Sequence, residues 1–143
     1  AAARWLRREI AAARRAAAAD RFVAWLDQFY RDQARHVAEV LAPAATMFAE
    51  LVVEQRARVM GTTMPSPAMV QVWVASWLEA FARAAVAESD TTLRAATPET
   101  IEAVLAQWET ERIGATAERL MNELDERLAR EVGGRQPTKL LVA

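Results

Sequence analysis

The chain is predicted to be all-α, a bundle of about five helices around a central apolar helix from Pro67 to Ser89. Three observations predict it. Apolar residues recur at steps of three and four along most of the 143 residues, the spacing that stacks side chains on one helical face. Turn-forming residues gather at a few places only: GTTMPSP leading to Pro67, the segment around Thr97 and Pro98, and Gly133–Gly134. The stretch from Ser66 to Ser89 is too apolar to be left in water, with only Glu79 and Arg83 charged between Pro67 and Ala87. Residues 1–134 read as one helical domain and 135–143 as a C-terminal tail.

The first helix carries a thin stripe of Ala2, Leu6, Ile10, Ala13 and Ala17, opposed by Arg4, Arg7, Arg8, Arg14 and Arg15. Asp20 either caps a second helix or lies within one long one. From Phe22 to Leu41 a broad apolar face follows, with Asp27–Arg31 and Arg35–Glu39 spaced to pair outside it. Pro43 predicts a kink or short break, because proline disfavours helical geometry in the residue before it and lacks the N–H of a helix interior. A helix then runs from Pro43 to Met60, and Gly61 is suited to cap it.

Ser66 and Pro67 start the central helix: the serine oxygen accepts from free N–H groups, and proline fits the first helical position. Val70, Trp73, Val74, Trp77 and Phe81 share its main face, which makes Trp73 and Trp77 the aromatics expected to be most buried. Asp90 to Ala96 reads as a connection, and Thr97–Pro98–Glu99 starts a last helix that ends near Val132. That helix changes face. Ile101, Val104, Leu105 and Trp108 lie on one side, while Ile113, Ala117, Leu120, Leu124 and Leu128 lie on another, rotated by roughly 150°. Gly114 sits at the change. A helix that keeps one half on its own core and aims the other elsewhere predicts a partner surface at Ile113, Leu120, Leu124 and Leu128; a kink that returns both halves to one core is the alternative.

Composition narrows the function classes. There is no cysteine, which removes disulfides, thiolate nucleophiles and cysteine-held zinc. A net charge of −1 exerts no global pull on nucleic acid, yet the charge is uneven. Residues 1–21 hold six arginines against Glu9 and Asp20, while residues 98–134 are dominated by acids. The arginines at positions 4, 7, 8, 14 and 15 are candidate contacts for phosphates or for an acidic partner, including the last helix of another copy. His36, the single histidine, lies at helical spacing from Asp32 and Glu39, but one histidine does not supply the paired motifs of a helical metal site. Ser66, Ser76 and Ser89 are better explained by capping and packing than as nucleophiles, and the four glycines form no phosphate-cradling loop. No catalytic residue, metal or cofactor is expected, and neither a membrane nor a small-molecule substrate. A homo-oligomer or a protein partner is expected, with nucleic acid as a weaker possibility, in a cytoplasmic setting. Ala1 runs straight into a helical pattern without a capping residue, so the chain reads as a piece of a longer one.

The segment FVAWLDQFYRDQARHVAEVLAP, Phe22 to Pro43, resembles a segment near the C-terminus of portal proteins of tailed bacteriophages and prophages. QWETERIGATAERLMNEL, Gln107 to Leu124, resembles the helix that follows in that region. The resemblance is one of helical texture without a catalytic motif. It implies part of a ring-shaped oligomer at the capsid vertex, in the virion, through which DNA is packaged and to which head-completion proteins dock. A free-standing helical adaptor or scaffolding protein, binding through its last helix, is the alternative.

Overall fold

A computed structural model describes residues 2–133. Among them every regular element is helical: α1 (Ala2–Ala18), α2 (Phe22–Phe29), α3 (Gln33–Met60), α4 (Pro67–Ala95), α5 (Ile101–Gln107), a π-helical turn (Trp108–Arg112) and α6 (Ile113–Gly133). With α5, the π turn and α6 counted as one continuous rod, this is an all-α bundle of five helices. The tail at 135–143 lies outside the described residues.

The helix ends follow local chemistry. α1 stops at Asp20, which takes the left-handed conformation (φ 55°), while Asp20 N–H bonds Ala17 C=O and Arg21 N–H bonds Ala16 C=O. That is the paired closure of a Schellman motif, and aspartate is among the few side chains that tolerate it. Gly61 closes α3 in the same way (φ 67°), with Gly61 N–H on Arg58 C=O and Thr62 N–H on Ala57 C=O. Ser66 caps α4 as expected, its Oγ accepting from Met69 N–H at 3.2 Å.

α3 and α4 form the central hairpin. The two pack on each other, and small residues at four-residue steps on α3, Ala45, Ala49 and Val53, share one core with Val70, Val74, Leu78 and Ala82 of α4. α6 covers the other side of α3, where Arg56 holds Asp125 through two 3.0 Å bonds. α1 closes the bundle against α6, α2 and α5.

Leu120, Leu124 and Leu128 are not a partner surface. They are 9%, 0% and 0% exposed and belong to the chain's own core, against which Ile113 also packs. The reason is the π turn, which accommodates one extra residue per turn and so re-phases the helix by about 100°, most of the offset between the two stripes. Both halves therefore return to one core. The switch lies at Trp108–Arg112 and not at Gly114, where an added Cβ would meet no atom within 4 Å. Trp73 and Trp77 are half-buried; the most buried aromatics are Trp5, Phe81 and Trp108, at 3%, 5% and 6% exposure. α4 is also longer and wetter than expected, running through 90–95 with Val72 on its exposed side.

α3 passes through Pro43 without ending, and the break falls earlier, at Tyr30–Asp32. In length and apolarity α3 reaches what a membrane span requires, with a mean hydropathy of 1.4 over 18 residues. Its buried stripe is occupied by α4 and α6.

Candidate functional site

α1 separates two kinds of charge. At 100° per residue, Trp5, Leu6, Glu9, Ala13 and Ala16 fall on the inner side, Arg4, Arg8 and Arg15 on one outer edge, and Arg7 and Arg14 on the other. The inner side contains a carboxylate. Glu9 is 0% exposed and accepts hydrogen bonds from Tyr30 Oη at 2.8 Å and Ser89 Oγ at 3.2 Å. The Arg112 guanidinium stands 3.6 Å from Glu9 Oε1, a charge contact longer than a hydrogen bond. Arg112 also donates to Ala85 C=O at 3.2 Å and lies 4.3 Å over the Trp108 ring. Both Trp108 and Arg112 come from the π turn, so the turn that re-phases the helix also delivers a cation to the buried acid.

Burial pushes the Glu9 carboxyl above its ordinary range, against the lowering influence of the Tyr30 bond, the Arg112 charge and the Ser89 bond. Tyr30 is pushed up as well, first by burial and then by the adjacent carboxylate. The cluster links α1, α2, α4 and the π turn, which suits it to hold four elements in register. Nothing in composition or spacing singles Glu9 out. On the helix it reads as one acid among arginines, and only the convergence of Tyr30, Ser89 and Arg112 marks it.

The outer edges differ from each other. Arg14 turns toward the acidic end of the bundle, gripping Glu102 through Nε at 3.0 Å and Nη2 at 2.7 Å and pairing also with Glu109. Glu102 is held below the usual carboxylate range, first by the Arg14 hydrogen bond. The expected attraction between the basic first helix and the acidic last one is therefore met, for Arg14, inside one chain. Arg7 lies exposed on the same edge.

Arg4, Arg8 and Arg15 are exposed on the opposite edge and rim an open groove of about 630 Å³ between α1 and the α2–α3 segment. Trp5, Phe29, Val40 and Pro43 supply its apolar lining, and Gln33, His36 and Glu39 its far rim. Among the described residues no carboxylate lies within 4.0 Å of these three guanidinium groups. The Trp5 indole N–H is buried without an acceptor beside them. Such a groove accepts an anionic ridge with a small apolar footprint. Of the five arginines expected to act together, three are thus gathered at one groove, Arg14 is committed elsewhere, and Arg7 stands apart.

A second groove, at the loop end of the α3–α4 hairpin, is lined by Met47, Leu51, Met64 and Pro65 and flanked by Glu50 and Glu54. Met47 and Leu51 are 68% and 63% exposed. No group of three or more His, Asp or Glu side chains is placed to hold a metal ion among the described residues, Asp32, His36 and Glu39 included. No family model matches the chain, and no curated protein and no solved structure matches it either.

Proposed function

We propose that the chain is a non-enzymatic structural module of an assembly, of the kind implied by its resemblance to the C-terminal helical part of phage portal proteins. In that reading it contributes to an oligomeric ring at the capsid vertex that serves DNA packaging and head–tail connection. One observation carries the assembly reading: exposed charges without an ion-pair partner gather with one sign on the outside of α1 and with mostly the other on the outside of α6. Arg4, Arg8 and Arg15 lie unpaired on the outer face of α1, while Glu118, Glu123 and Glu126 lie exposed and unpaired on α6. Within one chain these surfaces leave each other unsatisfied, and between chains they attract. The test is sedimentation velocity over a range of concentration and salt. A defined oligomer that weakens at high salt is expected; a monomer under every condition would remove the reading.

A free-standing adaptor is the second reading, favoured by the groove of Met47, Leu51, Met64 and Pro65. Methionine suits surfaces that adapt to a helical partner. With Leu120, Leu124 and Leu128 buried, the binding face of an adaptor moves from the last helix to this hairpin tip. In that case Leu51→Glu abolishes partner binding while the chain stays a monomer or dimer.

A further inference from the structure

The α1 groove and the outer face of α6 match in length, in spacing and in sign. On the groove side, Arg4, Arg8 and Ala12 form a row at four-residue steps, and Arg15 extends it, spanning about 16 Å. On α6, Glu118, Asn122, Glu126 and Arg130 form another four-residue row, all exposed, about 18 Å long. Rows at this spacing are the ridges that seat in grooves between neighbouring helices. None of the charged members of either row has an oppositely charged partner within 4.0 Å among the described residues.

The far rim of the groove adds a direction. Tyr30 stands beside Glu9, and Ala2 faces the same crevice as Leu41 and Ala45, so the first turns of α3 run toward the N-terminal end of α1. Glu39 is therefore at the Arg4 end of the groove, the one acid in a basic rim. Arg130 is likewise the one base in an acidic row, at its C-terminal end. Laid antiparallel to α1, an incoming α6 brings Glu118 to Arg15, Asn122 over the small Ala12, Glu126 between Arg8 and Arg4, and Arg130 to Glu39.

From this match we infer that the α1 groove of one copy receives the α6 ridge of a second copy, in that antiparallel register. The inference rests on the assembly reading above. The two patches are different surfaces of one chain, so the contact is head to tail and closes into a ring when the rotation per copy divides a circle. Duplex DNA is the weaker claimant. Glu39 in the rim repels a phosphate backbone, whereas it pairs with Arg130 of the ridge.

The test is charge exchange in the 143-residue chain, followed by sedimentation velocity, with circular dichroism to confirm that each variant keeps its helix content. Arg8→Glu with Arg15→Glu, and separately Glu118→Arg with Glu126→Arg, are each expected to weaken self-association on the order of tenfold, the sum of a few exposed ion pairs. Mixing the two variants restores it. Glu39→Arg weakens association and is rescued by Arg130→Glu if the direction is right; no rescue overturns the register. If wild type assembles but neither double variant changes it, the contact is wrong while the assembly reading stands. A wild-type monomer at every concentration ends both. If only the arginine variant matters, and duplex DNA binds with a log–log salt slope near −2.7 for about three phosphates, the groove serves nucleic acid and the inference fails.

Discussion

The inner and outer sides of α1 hold charge on opposite terms. Inside, one carboxylate is removed from water and survives because Tyr30, Ser89 and Arg112 are brought to it from three other elements. Outside, Arg4, Arg8 and Arg15 keep their water and need no partner to be stable. A buried charge couples to the fold, since losing a partner leaves a desolvated group behind. An exposed charge couples to whatever binds next, and contributes little to the fold itself.

The largest effect is expected at the apolar residues that α1 buries beside Glu9 on its inner side. Trp5→Ala is expected to destabilise the chain by about 3 to 5 kcal/mol in denaturant melts, as a large side chain lost from a packed interior. A loss below about 1 kcal/mol would mean that α1 is not docked as described. Leu124→Ala should cost about 2 to 5 kcal/mol for the same reason, and a variant that keeps full stability would return that leucine to the surface.

Tyr30→Phe is the next largest. It removes one donor from a buried acceptor without opening a cavity, and a loss of about 1 to 3 kcal/mol is expected by chemical denaturation. The pH dependence sharpens the point. Because the Glu9 carboxyl is raised by burial, its contribution is fully present below the ordinary carboxyl range and is lost as pH rises through the raised value. Glu9→Gln should therefore flatten the alkaline-going loss of stability in melts from about pH 4 to pH 8. Glu102 titrates with the opposite sign, its contribution present above the ordinary range and lost as pH falls. Identical pH profiles for wild type and Glu9→Gln would show that the buried acid does not titrate in this window.

The smallest effects belong to the outer side. Arg14→Ala should cost less than about 1 kcal/mol, because its bonds to Glu102 and Glu109 lie near the surface. Arg8→Ala should change stability by no more than about 0.5 kcal/mol in the same melts. A larger loss at Arg8 than at Arg14 would reverse the assignment of the two edges.

The helical class, the start of α4 at Ser66, the stop of α3 at Gly61 and the pairing of Glu79 with Arg83, found at 2.6 Å, are legible in the residues alone, whereas the last helix starts at Ile101, three residues past Pro98. Each legible feature depends on neighbours within about one turn, where capping oxygens, proline geometry and spacing act directly. Which side of a helix meets which neighbour was decided only by the tertiary structure. Trp5 looks marginal on a stripe of alanines and is nearly fully buried, because three other helices close around α1. The leucines of α6 point away from the α5 stripe on an ideal helix, and the π turn brings them back. Glu9 reads as one more surface acid until Tyr30, Ser89 and Arg112 converge on it from up to about a hundred residues away in sequence. Helical spacing records only local phase; burial is a property of the whole packed chain, and a single π turn is enough to shift one against the other.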